Sequence, residues 1–281
     1  MFDTVRAELF KLRKRPAAWV LLAAAAILSQ VFGYLVPYLA YTTGDSDSAA
    51  LEGSPEAQLA STLPDQLLIN TIGGFPVFAG ALALVLGALM FGGEYGWGTV
   101  KTMLTQRPGR GSVLAGQLVA LGAALAVAVA VLTALSAVSA AGIALAEDQP
   151  MQWPGAADLG GGLAAGWLVL LTWATLGAAL GVMLRSVALP IGLGVVWVLG
   201  IENLVEAMAG SVLTALQPVR DLLPGINAGS LVAAVVPEAM TEPPPGVAAT
   251  VSEPRALVTL ALYLVVATVV AAWTARRRDV V

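Results

Sequence analysis

Glu202 and Glu206 stand four residues apart with Asn203 beside them, so a helix would present both carboxylates on one face. Such a pair can hold a cation or a polar substrate. It can equally sit hydrated at a membrane rim, paired with Arg220. A membrane-embedded enzyme would have to use Glu202, Glu206 or Asp221, because the chain has no Cys and no His. That composition excludes thiolate or imidazole metal sites, a Ser-His-Asp triad and haem ligation by histidine. No nucleophile–base pair replaces them. The nearest approach to a phosphate loop, Gly93–Thr102, ends in Val100-Lys101-Thr102. A phosphate loop needs Gly before that Lys so the backbone can wrap the phosphates, and Val100 fills the place.

A second charged stretch runs from Phe91 to Arg110, between two long apolar runs. Val100, Met103 and Leu104 fall at helical spacing behind Gly98, while Glu94, Lys101, Arg107 and Arg110 supply charge. Pro108 and Gly109 then stop the element. A small half-apolar helix at a membrane face suits contact with a second protein better than catalysis. Glu94 is also the one charge entering the preceding apolar run, so it could simply anchor that run.

The elements that must carry these residues are membrane helices. The chain is 58% hydrophobic and 11% charged with a mean hydropathy of +0.83. A soluble domain carries about 25% charged residues. Runs beyond about 18 apolar residues read as spans. The expected fold is all-α, with six spans at 17–40, 74–91, 112–146, 161–184, 187–204 and 256–275. Residues 1–15 form an amphipathic interfacial helix, with Phe2, Val5, Leu9 and Leu12 opposite Arg6, Lys11, Arg13 and Lys14. A basic flank that only fixes topology is the alternative reading. Residues 42–70 form a polar, acidic loop with a short helix near Glu56–Thr62. Within 205–254, the segments Ala207–Leu216 and Ile226–Val236 are too short to cross and read as a re-entrant hairpin. Gly162-x-x-x-Gly166 and Gly177-x-x-x-Gly181 would let helix backbones approach closely, though chance produces such pairs in an Ala/Gly-rich chain.

Charge assigns the sides. With the amino terminus, 92–110, Arg185 and the carboxyl terminus together, one side holds 12 of the 14 basic residues and 4 of the 18 acids, a net of +8 against −12 opposite. The positive-inside rule puts the +8 side, and both termini, in the cytoplasm. The acidic overall balance is therefore a sorted membrane pattern and no sign of a nucleic-acid partner. High Ala, with Arg far above Lys, suggests a bacterial cytoplasmic membrane.

The pattern Glu94-Tyr95-x-x-Gly98-Thr99, followed by Leu104 and Arg107-Pro108, resembles the coupling segment of type-2 ABC transporter permeases. Glu8-x-x-Lys11 resembles the first amphipathic helix of that family, and 205–254 its re-entrant helices between the fifth and sixth spans. The resemblance implies a permease of an ATP-driven exporter that binds no cofactor itself. ATP and Mg would sit on two copies of a separate ATP-binding subunit. A second permease copy or a sister permease would complete the path for a lipophilic or amphipathic cargo. On this reading Glu94 and Tyr95 open the docking segment and Glu94 pairs with basic residues at the subunit interface or ties down nearby amides. Gly98 permits close approach and Thr99 caps the helix. Val100, Met103 and Leu104 fill a groove on the partner, with Lys101 and Arg107 beside them. A non-transporting scaffold or immunity protein remains the alternative outside this class.

Overall fold

The computed structural model describes residues 2–44, 54–96, 110–211, 213–236 and 243–277. Gly98, Thr99, Val100, Lys101, Met103, Leu104 and Arg107 of the expected coupling segment lie outside the described residues. No strand occurs among those described. Helix α1 is Phe2–Lys14; Arg15 is extended at φ −82°, ψ 115°, and Pro16 opens α2, Pro16–Thr43. Proline suits a first helical position because that N–H has no intrahelical acceptor. Gly44, at φ 64°, supplies the left-handed residue that closes α2. Then come α3 (Pro55–Ser61), α4 (Pro64–Tyr95), α5 (Arg110–Ala146), α6 (Ala156–Leu184), α7 (Ala188–Ala209), α8 (Pro224–Val235) and α9 (Glu253–Arg277). Six of these, α2, α4, α5, α6, α7 and α9, are long and apolar enough to cross a membrane.

Two regions differ from the sequence expectation. The second span starts near Pro64 and not at residue 74, because Leu67–Ile72 is already helical and the Gly73 N–H donates to the Ile69 carbonyl. Leu67, Leu68, Ile69 and Ile72 are buried there, so packing extends the helix into what reads as a polar loop. In 205–254, residues up to Ser211 continue the fifth-span helix, and Thr214–Leu216 is a separate short turn of 3-10 helix. The segment 207–216 is therefore not one helical arm. Helix α8 has 12 residues, about 18 Å, too short to span. Its residues from Ile226 to Val232 are all buried.

Helices α4 and α6 form the centre of the bundle: 61% of each apolar window is buried, against 6% for α2. Their contact explains the glycine spacing. A Cβ at Gly177 would run into the Leu84 carbonyl, and one at Gly87 into the Ala174 carbonyl. Gly177-x-x-x-Gly181 thus serves an intrachain crossing, where close backbones gain dispersion contact. Replacing Gly177 with Leu should force these helices apart at a cost of about 3 kcal/mol or more. Size-exclusion chromatography in detergent should then show loss of the monodisperse peak; an unchanged profile and melting curve would refute the crossing.

Three spans contain one π-helical turn each: Val31–Leu35 in α2, Phe75–Ala79 in α4 and Trp197–Ile201 in α7. Pro37 and Pro76 account for the first two, since proline offers no N–H and its ring crowds the carbonyl four residues back. The extra residue frees carbonyls that need new donors. Trp173 Nε1 donates to the Pro76 carbonyl at 3.1 Å, and Asn203 Nδ2 donates to the Val198 and Leu199 carbonyls at 3.2 and 3.1 Å.

Candidate functional site

The basic residues gather at one end of the bundle through contacts between distant elements. Helix α1 packs on α5, where a Cβ at Gly116 would strike Thr4. Glu8 and Leu12 are its buried residues, with Val5 half-buried, whereas Phe2, Leu9 and Phe10 are exposed. The buried stripe is thus rotated from the expected Phe2/Val5/Leu9/Leu12 face. Rotation brings Glu8 and Lys11 inward, where an ion pair forms between them.

Lys11 Nζ also reaches Glu94 Oε1 at 3.0 Å, and Arg15 Nη2 reaches the same oxygen at 3.0 Å. Arg15 Nη1 donates to the Leu89 carbonyl at 3.4 Å. Glu94, at the end of α4, is only 4% exposed. Two acids and two bases therefore form a formally neutral cluster that ties α1 to the end of the second span. Buried charge is tolerated when paired in this way, and removing one member leaves the rest uncompensated. The partners described for Glu94 come from its own chain, the anchoring role that the sequence offered beside docking. Tyr95 lies next in sequence, with the Arg185 guanidinium 6.0 Å from its ring centroid. Arg185 itself adopts φ 48° in the turn after α6. This cation–π contact draws the 184–187 turn to the same end.

At the opposite end the carboxylate pair separates. Glu202 is 5% exposed, while Glu206 is half-buried. Glu202 Oε1 accepts from Trp197 Nε1 at 2.7 Å, and the backbone of Gly225 lies against this carboxylate. A Cβ at Gly225 would run into Glu202, so only glycine lets the start of α8 approach so closely. Glu202 is thus a clamp between α7 and α8 and not a hydrated rim residue. Arg220 pairs with Asp221 at 2.7 Å instead, and Arg255 adds a 3.4 Å contact to Asp221. Asn203 is spent on backbone carbonyls. No group of three or more acids able to hold a metal occurs among the described residues.

Sequence reasoning missed the Trp197–Glu202 bond because five residues is π-turn spacing, off the three-or-four rule of an α-helix. It missed the Glu94 cluster because those partners lie 79 and 83 residues away. A family model described as ABC-2 family transporter protein matches residues 4–280. A search of curated proteins finds no match.

Proposed function

This chain belongs to the ABC-2 family of transporter proteins, and from that membership we propose that it is the permease subunit of an ATP-driven exporter. Families of this kind work with an ATP-binding subunit, which holds ATP and Mg. The positive-inside rule places the basic end, with both termini, in the cytoplasm of a bacterial cell. Two ATP-binding subunits would dock there on residues 92–110, with Val100, Met103 and Leu104 as the apolar knobs. A second permease, identical or a sister chain, would close the path. Helix α8 would sit as one arm of a re-entrant element on the outer side, with α1 in the headgroup plane.

The observation that carries this reading is the Glu8–Lys11–Glu94–Arg15 cluster. It lies at the start of the docking segment and fastens that segment's incoming helix to α1. Displacement of 92–110 by nucleotide-driven closure would therefore move α1 and the end of α4 as one body. That body in turn leans on α5 and, through Tyr95 and Arg185, on the α6–α7 turn. One local push would thus reach the first five spans without any catalytic group in this chain. The cargo would be lipophilic or amphipathic, matching walls of Ala, Leu, Val and Gly.

Changing both Met103 and Leu104 to Asp tests the docking assignment. The variant should insert normally yet retain less than about one tenth of the ATP-binding subunit on affinity purification from native membrane, the loss expected when central apolar anchors are removed. Full partner retention by that variant would overturn it. Recovery of wild-type chain with no ATPase at all would favour the scaffold or immunity alternative.

A further inference from the structure

A polar seam lies between α2, α4 and α5, well away from both clusters described above. Tyr34 is 3% exposed and sits in the π-helical turn of α2. Its hydroxyl faces Ser136 and Asn70, but makes no hydrogen bond of proper geometry. Ser136, fully buried, is likewise without a partner. Gln30 Oε1 accepts from Ser139, whereas Gln30 Nε2 is unbonded. Asn70 Nδ2 gives one of its two N–H groups to the Ser61 carbonyl at 2.8 Å.

The behaviour of Ser136 sets this seam apart. Thr71, Thr133, Thr172 and Thr175 all turn their hydroxyls back to the carbonyl four residues earlier, at 2.8 Å each. That is the ordinary way to satisfy a hydroxyl inside a membrane helix. Ser136 forgoes it. In α2 the π turn, a device common at functional sites, coincides with the one tyrosine in the seam. Three buried polar groups left unbonded in one place call for an external partner, since native folds rarely leave them so.

We propose that Gln30, Tyr34 and Ser136 form a binding site for the neutral, oxygen-bearing head of an amphiphile, a hydroxyl or ester carbonyl. The groups on offer are two hydroxyls, which donate or accept, and an amide N–H, which donates. None carries charge, and the nearby outer acid Glu147 is engaged by the Tyr38 and Tyr41 hydroxyls at 2.8 and 3.0 Å. A charged head would lose its hydration without gaining a counter-ion. Lateral access explains an amphiphile better than a sealed-in water. Helix α2 has the least buried apolar window of the six spans, Gln30 is half-buried, and Phe32 and Leu35 beside it are 66% and 50% exposed. An acyl tail would lie along that face while its head enters the seam.

The site deepens the cargo class assigned above, yet its test needs neither nucleotide nor partner, so the two readings can fail separately. The full chain in nanodiscs would be titrated with monoolein, with oleylamine and octadecene as cationic and headless controls. Wild type should bind monoolein saturably and show a concentration-dependent rise in melting temperature. Tyr34→Phe and Ser136→Ala should each weaken binding about tenfold, the loss expected for one hydrogen bond of about 1.4 kcal/mol, and Val138→Ala should bind as wild type. If the hydroxyl variants do not fold, Gln30→Met removes the half-buried amide donor and should give the same loss. Equal binding of octadecene, or unchanged affinity in the variants, would overturn the site. So would lowered stability of Tyr34→Phe with no monoolein binding by wild type, which would mean a resident water.

Discussion

Glu94→Ala should destabilise the protein by about 2–3 kcal/mol and free α1 from the bundle, leaving Lys11 and Arg15 without the carboxylate they share. The figure is set below the 3–5 kcal/mol usual for breaking a buried pair, because Lys11 and Arg15 side chains are 33% and 17% exposed and can partly rehydrate. Glu94→Gln keeps an acceptor oxygen but loses the charge, so it should fall between alanine and wild type. Hydrogen exchange of residues 2–14 is the direct readout. Faster exchange confined to α1 and the end of α4 supports the tie. Unchanged exchange in α1 would show that Glu94 holds nothing there. On the proposed function, the alanine variant should keep an ATP-binding partner while nucleotide hydrolysis and transport come apart. Loss of the partner in Glu94→Ala would assign the carboxylate to docking, as the family resemblance implies.

Glu202→Ala should loosen α8 more than any other single change at the opposite end. It removes the acceptor of Trp197 Nε1 and the side chain against which Gly225 packs. A donor left unmade costs about 1–3 kcal/mol, which sets the expected loss. Glu202→Gln retains an oxygen for the indole N–H and should cost much less, while Glu206→Gln should be close to silent. A double-mutant cycle between Trp197→Phe and Glu202→Gln should report a coupling of about 1 kcal/mol. Additive single effects would mean that the 2.7 Å contact contributes no stability. Gly225→Ala provides an independent check, because its methyl group competes with the carboxylate for space. It should raise hydrogen exchange across Pro224–Val235 in the same way.

How much of this was legible beforehand depended on the range over which each signal acts. Glu8 and Lys11 were marked by the family resemblance, and Glu94 by its position at the end of an apolar run. Their union was not legible, because the helical register of α1 was read from hydrophobicity. Packing against Gly116 turned Glu8 inward instead of Leu9. The carboxylates at 202 and 206 were legible as a pair on one face. The π turn just before them and the approach of Gly225 made one a structural clamp and left the other half-buried. Gly177 and Gly181 signalled a close helix crossing without saying which helix would meet them.

The sequence by itself determined that this is an α-helical membrane protein with six apolar spans, and it sorted the charges into a basic and an acidic set. Hydropathy and charge are sums along a chain, so they need no knowledge of neighbours. The tertiary structure alone decided that Glu94 closes on Lys11 and Arg15, that Glu202 is buried, and that Tyr34 and Ser136 face each other unbonded. Those outcomes turn on where helices distant in sequence cross, and on single extra residues that rotate a face by about 100°. Neither quantity is written in the local pattern of the residues concerned.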